Sequence, residues 1–286
     1  MWSTSARRLQ SIGLFYTRNG GHSTPKPCCF FSTVKRPALY LYNSSTRSEL
    51  FLMGIDHVTT RSAEIVQNLI KDVRPNTVAV ELCEERAQRL ITGEKEPAKR
   101  SLWDLLAIQG SLGQKFITHV IRNMHADLAC TALKPGKELK VAIEQGKRVG
   151  AKIAYIDESF DVIVQRAAED FTLKGLYRYW VKNRELASQY PNFFGALRYK
   201  DINHRAEAML RPEALKETLE IGERFFPDLV RAVVHERNEH MVKKLREMKG
   251  SVVAIVGALH VRGMQKLWDQ AERDCQRDRS LPVPYR

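Results

Sequence analysis

The sequence predicts an α/β fold: a mixed, mostly parallel central sheet with helices on both faces and a large mid-chain helical insertion. Three observations carry this. Short β-branched and apolar runs recur along the chain, amphipathic stretches of helical period separate them, and several runs stop abruptly at polar residues. Strand and helix signals in alternation belong to parallel strands joined by crossover helices.

Folded structure is expected to begin near Pro37. Ala38-Leu39-Tyr40-Leu41-Tyr42 reads as a strand, Asn43 to Arg47 as a turn, and Leu50-Phe51-Leu52-Met53 as a second strand. Gly54-Ile55-Asp56-His57 follows. Ser62 is placed to cap a helix whose apolar residues Ile65, Val66, Leu69, Ile70 and Val73 share one face. Pro75-Asn76 ends that helix, and Thr77-Val78-Ala79-Val80 leads straight into Glu81. Strand, helix, strand predicts a parallel pair with a right-handed crossover. From Ser101 to Lys249 the pattern is mostly helical, broken by one strand, Lys152-Ile153-Ala154-Tyr155-Ile156, which ends at Asp157. A helix starting near Pro227 carries Val230, Val233, Val234, Met241, Leu245 and Met248 on one face, with Arg237 on the same stripe. Ser251 to Val256 is the last strand and opens into Gly257-Ala258-Leu259-His260. Beyond Trp268 the sequence turns charged and finishes in Pro282-Val283-Pro284. The division expected is an organelle transit peptide over 1–36, the folded domain over 37–270 and a polar C-terminal tail over 271–286.

At 286 residues, 43% hydrophobic and 28% charged, the chain can bury a sizeable core. Its formal net charge of +13 invites a nucleic-acid reading, but the charge is uneven. Arg7, Arg8, Arg18, Lys26, Lys35, Arg36 and Arg47 precede the first acidic residue, Glu49. Without those seven, 39 basic residues face 33 acidic ones, a net of +6, so nucleic-acid binding is disfavoured. An acid-free, Arg- and Ser-rich start is the composition of an import leader, drawn inward by a negative potential; a disordered basic arm is the alternative. Mitochondrion is the expected location, with a plastid or the outer face of an organelle membrane as alternatives. No apolar run approaches the roughly 20 residues needed to span a bilayer, so no transmembrane segment is expected. Of five cysteines, Cys28 and Cys29 fall in the leader, and Cys83, Cys130 and Cys275 lack CxxC spacing, which argues against a zinc knuckle or disulfide scaffold. The aromatic and basic stretch from Leu176 to Lys182, with Phe193-Phe194, reads as amphipathic helix with its rings in the core; contact with lipid headgroups or single-stranded nucleic acid is the alternative.

The chemistry is expected at strand ends. His57, Glu81, Asp157 and His260 each stand at or just past the C-terminal end of an apolar run, and α/β sheets bind ligands in the crevice at that edge. Two imidazoles and a carboxylate suit a divalent metal such as Mn or Zn with one position open to water. Gly54 and Gly257 would let the backbone turn sharply and approach a bound group, beside Asp157. Structural alternatives stand beside these: a satisfied histidine at a strand end, or Glu81 as a cap for the segment starting at Glu84-Glu85. Arg237, turned toward a core, needs an ionic partner such as Glu81 or Asp157, or else an anionic substrate; Arg86, one turn past Glu81, is placed for the same work. No Walker loop, dinucleotide fingerprint or GxSxG elbow occurs.

Three motifs carry a resemblance. Leu52-Met53-Gly54-Ile55-Asp56-His57, then Arg74 to Cys83 with Arg86, resembles the opening of the TraB/PrgY/GumN family. Phe226-Pro227-Asp228-Leu229 with Glu236-Arg237-Asn238 is similar to its Glu-Arg-Asp helix, and Val256-Gly257-Ala258-Leu259-His260-Val261-Arg262-Gly263-Met264 to its closing Gly-x-x-His-Val-x-Gly motif. The similarity runs in colinear order from about Ala38 to Trp268. It implies a fold related to the erythromycin-esterase and haem-uptake ChaN-like group, and a metal-dependent, peptidase-like hydrolase. His57 and His260 are then metal ligands, Glu81 a third ligand or the base for bound water, and Arg237 or Arg86 the stabiliser of developing negative charge. The implied substrate is a peptide or a small amide or ester, with peripheral contact to an organelle membrane. The alternative is a non-catalytic regulatory or tethering protein on the same fold. Three departures stand out: Ile55-Asp56 in the first motif, Asp157-Glu158 where Asp-Arg is usual, and Asn238 in place of the third acidic residue.

Overall fold

The computed structural model describes residues 38–55, 61–94, 136–169, 185–209 and 211–280, with single positions at 115, 118, 119 and 181. His57, the leader expected over 1–36, Cys130 and the stretch from Leu176 to Trp180 lie outside the described residues.

Strand β1 (Leu39–Asn43) and strand β2 (Ser48–Ile55) form an antiparallel hairpin that sets Leu39 opposite Leu52 and Asn43 opposite Ser48. Asn43 is fully buried, and its amide closes the turn: Oδ1 accepts from the Ser45 N–H at 3.0 Å, and Nδ2 donates to the Arg246 carbonyl at 2.8 Å. Helix α1 (Arg61–Val73) buries Val66, Leu69, Ile70 and Val73, the face its period predicts. Ser62 sits inside its first turn instead of capping it, because the helix already includes Arg61. Strand β3 (Thr77–Val80) and helix α2 (Glu84–Thr92) follow; Cys83 holds the cap position of α2, so Glu81 is released from that duty. Helix α3 (Lys137–Arg148) precedes strand β4 (Lys152–Tyr155). The run then turns helical through α4 (Phe160–Glu169), α5 (Pro191–Leu197), α6 (Ile202–Met209), α7 (Pro212–Phe225), α8 (Pro227–Val230), a π turn (Arg231–His235) and α9 (Glu236–Glu247). Strand β5 (Ser251–Gly257) and helix α10 (Ala258–Ser280) close the fold, and the polar residues 271–280 extend that helix.

The sheet order is β1-β2-β5-β3-β4, parallel except at the β1 edge. One expectation is corrected here: β2 and β3 run parallel but do not pair, since β5 lies between them. The reason is compositional. The β5 interior, Val252 to Val256, is apolar at every position and buried on both faces, which only a central strand achieves.

Alternation along the strands builds two cores. Phe51, Met53, Ile55, Val78, Val80, Val253 and Ile255 face α1 and α3, while Leu50, Leu52, Ala79, Val252, Ala254 and Val256 face α9 and α10 through Met241, Leu245, Met264 and Trp268. Phe193 and Phe194 pack with Tyr190 and Phe226 against Leu186, Ile221 and Phe225, in a satellite core of the helical region. Among the described residues no helix is long and apolar enough to cross a membrane.

Candidate functional site

Register brings the strand ends to one edge. Val80 pairs with both Ile255 and Tyr155, so the chain leaves β3, β4 and β5 at one level. The Glu81 N–H extends the ladder to the Ile255 carbonyl at 3.1 Å, and the Asp157 N–H reaches the Leu82 carbonyl at 3.2 Å. His260 follows three residues after the end of β5, in the first turn of α10. Helix α9 crosses this edge and supplies Arg237 and Asn238.

Arg237 is the hub. Its Nε–H donates to Asp157 Oδ1 at 3.0 Å, and Nη2 donates to Asp157 Oδ2 at 2.8 Å and to Glu81 Oε1 at 2.5 Å. Nη1 donates to the Val233 carbonyl at 3.1 Å and lies 3.3 Å from His260 Nε2. A guanidinium has five N–H groups; four face oxygen acceptors inside the fold, and the fifth faces His260 Nε2, which accepts only when that nitrogen carries no hydrogen. The carboxylates are equally committed. Glu81 Oε2 accepts the Gly257 N–H at 2.6 Å; Asp157 accepts the Glu158 N–H at 2.9 Å and Arg86 Nη1 at 3.2 Å. Side-chain exposure is 0% for Asp157, 5% for His260, 11% for Arg237 and 14% for Glu81, so these charges interact in a medium far less screening than water.

That setting fixes two ionisation states. Burial alone would raise the Glu81 carboxyl, but the charge and hydrogen bond of His260, then Arg237 and the Gly257 N–H, outweigh it and hold Glu81 well below the usual carboxylate range. Burial alone would also favour a neutral Arg237; the charges and hydrogen bonds of Glu81 and Asp157 overcome this and raise its pKa instead. His260 touches both partners through one nitrogen: Nε2 is 3.2 Å from Glu81 Oε1, while Nδ1 is 2.7 Å from Asn238 Oδ1.

A local irregularity in the chain aims Arg237 and Asn238. The π turn bonds the Glu236 N–H to the Arg231 carbonyl, one residue further back than an α-helix would, and so rotates the positions after it. Val230, Val234, Asn238, Met241 and Leu245 then line the buried face. Sequence reasoning places Arg237 on the inward stripe but misses Asn238 and the π turn; the available signal is a polar residue at buried helical spacing between Val234 and Met241.

Of the other positions singled out, Gly54 lies inside β2 and Gly257 at the end of β5, and neither is among the described residues of positive φ. The sharp-turn expectation is replaced by close packing. A Cβ at Gly54 would stand 2.6 Å from Val261 Cγ2, so its absence lets α10 settle on β2 and lower His260 to the sheet edge. Arg86 stands at the rim, 26% exposed, and among the described residues gives one hydrogen bond, to Asp157. Glu158 points away from the hub and forms a second cluster with Arg166, Glu236 and His240.

Whether these groups fit a divalent ion is decided by charge and by the occupied coordination positions. The spacing of Glu81 Oε1 and His260 Nε2 is near the edge of a tetrahedron with bonds of about 2.0–2.2 Å. Both atoms, however, already meet Arg237, and the charges of Glu81 and Asp157 are balanced by Arg237 and Arg86, leaving no negative excess among the described residues to draw a dication. Among the described residues no group of three or more His, Cys, Asp or Glu side chains is arranged to hold a metal. Among the described residues, which do not include His57, this donor set does not fit one in the arrangement observed.

Residues 196–274, which include Arg237, Asn238, Gly257, His260 and Gly263, match the TraB/PrgY/gumN family. The chain is 28% identical over 243 residues to an uncharacterised protein of Methanocaldococcus jannaschii, an alignment covering 81% of this chain and 56% of that protein. It is 25% identical over 266 residues to a TraB domain-containing protein of Homo sapiens, covering 83% of this chain and 67% of the relative, and equally so to that of Mus musculus. The chain thus spans about half the length of the archaeal relative.

Proposed function

The chain belongs to the TraB/PrgY/gumN family, and from that premise we propose that it is a hydrolase of peptide or other amide-like bonds whose reacting group is His260. The observation that carries this reading is the environment of one ring nitrogen. His260 Nε2 faces a donor, Arg237 Nη1, and an acceptor, Glu81 Oε1, at nearly equal distance, while Nδ1 is occupied by Asn238. A neutral ring accepts from Arg237 through Nε2; a protonated ring donates from Nε2 to Glu81. Both states of a general acid–base are met without rearrangement.

In this reading the attacking water gives its proton to Nε2, and the imidazolium returns it to the leaving amine as the amide C–N bond breaks. Glu81, held ionised far below the usual range, is a weak base; its work is to stabilise the imidazolium. Arg237 is a positioning residue, since four of its five N–H groups are spent on oxygens inside the fold and the fifth faces His260, whereas Arg86 is the rim arginine placed to meet an anionic group of the substrate. The family resemblance implies a divalent ion on His57, His260 and Glu81. Such an ion would have to displace Arg237 Nη1 from His260 Nε2, and no step here runs through one. The acid-free leader supports a mitochondrial location.

The test is hydrolysis of a fluorescence-quenched peptide library, with elemental analysis of the same samples. His260→Ala is expected to reduce turnover on the order of 100-fold or more with folding retained. Arg86→Ala is expected to raise KM about tenfold, the loss of one charge-assisted contact. Stoichiometric metal that leaves on His260→Ala would replace the proton shuttle by metal ligation. A folded wild type that cleaves neither amide nor ester probes favours the second reading, a regulatory or tethering protein at an organelle membrane. The complete internal pairing of Arg237 also supports that reading, because a purely structural lock would have the same contacts.

A further inference from the structure

We infer that Asn238 is a positioning residue that decides which nitrogen of the neutral His260 ring carries the proton, and that Gly263 makes the room in which it does so. The inference rests on the reading of His260 as the proton-transferring group, and it concerns the ring's tautomer, which can be observed without any substrate.

Asn238 is 1% exposed and sits on the apolar stripe of α9, where an amide is costly to bury unless its hydrogen bonds are met. Its Oδ1 lies 2.7 Å from His260 Nδ1, the shortest contact of the ring. A carbonyl oxygen accepts only, so Nδ1 must carry the hydrogen, and Nε2 is left with its lone pair. That lone pair points where Arg237 Nη1 can donate to it, so the two hydrogen bonds agree on one tautomer. Without Asn238 the nearest acceptor to the ring among the described residues is Glu81 Oε1, on the Nε2 side, and the proton would move there. Nε2 would then no longer be able to take a proton from water.

The amide is fixed on its other side by α10. A Cβ built on Gly263 would overlap Asn238 Nδ2, so any side chain there drives the amide away from His260. This gives the closing motif a physical content. Gly257 supplies the N–H that holds Glu81, His260 the ring, and Gly263 the gap that admits the residue orienting that ring. An acidic residue at 238 would orient the ring in the same way but add charge; Asn238 orients it while staying neutral.

The experiment is long-range proton–nitrogen NMR of the full chain labelled at histidine, with the His260 signals among the eight histidines assigned by their loss in His260→Gln. At a pH where the ring is neutral, wild type is expected to show a protonated Nδ1 and an unprotonated Nε2. Asn238→Leu, similar in shape and without an acceptor, is expected to transfer the proton to Nε2, and Gly263→Ala to shift the ring the same way. Asn238→Asp, which keeps the acceptor, should retain the wild-type pattern. A wild-type ring protonated at Nε2, or an unchanged ring in folded Asn238→Leu, overturns the inference. Should Asn238→Leu fail to fold, the wild-type and Asn238→Asp spectra decide it. An inactive wild type with the expected tautomer removes the hydrolase reading and leaves the orienting role of Asn238 in place.

Discussion

Two charge clusters stand side by side at the carboxyl edge of the sheet, and neighbouring residues feed them. Asp157 and Arg237 turn inward; Glu158 and Glu236, adjacent in sequence, turn outward to Arg166 and His240. In the inner cluster no side chain among Glu81, Asp157, Arg237 and His260 exceeds 14% exposure. In the outer one Glu158 is 11% exposed, but its partner Arg166 is 39% exposed and Glu236 31%, beside a surface cleft of about 560 Å³. The outer pairing is chemically sound, since Arg166 grips both oxygens of Glu158 at 2.7 and 2.9 Å. Burial and Lys244 push the His240 imidazole down, so it adds no charge at neutral pH. The lesson is that geometry alone does not separate the clusters; the dielectric does. Removing one partner of a buried pair strands the other, whereas water replaces a lost partner at the surface.

That contrast can be broken in several ways. Asp157→Ala should have the largest effect, because it strips Arg237 of two acceptors in a buried site; a loss of about 3–5 kcal/mol is expected by urea denaturation. Gly54→Ala should come next, about 1–3 kcal/mol, since the new methyl meets Val261 and lifts α10 from β2. Acid supplies a third handle. The folded pKa of Glu81 lies below its unfolded value near 4.5, so its contribution is complete above that pH and is lost as pH falls through the lower folded value. Wild type should therefore lose stability more steeply below about pH 4.5 than Glu81→Gln does. Arg166→Ala, in the outer cluster, should cost no more than about 1 kcal/mol, and less still at high salt.

The sequence shows some of this more clearly than the rest, for physical reasons. The strands that end at Glu81, Asp157 and Gly257 are legible because β-branched runs stop at polar residues, a local signal. The inward turn of Arg237 is legible from helical period. The insertion of β5 between β2 and β3 is not, since nothing local records which strand a buried run will pair with. The π turn is equally silent: Arg231 to His235 carries no residue that demands a wider turn, and tertiary packing of Val234 and Asn238 selects it. The outer cluster escapes notice because Glu158 precedes α4 while Arg166 lies inside it, so no single element's period links them.

The most direct measurement is a pair of double-mutant cycles, Asp157→Ala with Arg237→Ala against Glu158→Ala with Arg166→Ala, read as unfolding free energies. The inner pair is expected to show a coupling at the upper end of the roughly 0.5–3 kcal/mol range for contacting residues, insensitive to salt, and the outer pair less than about 1 kcal/mol, weakening as salt rises. Equal couplings, or an inner coupling that salt removes, would contradict the claim that burial makes Arg237 and Asp157 the scaffold on which His260 is held.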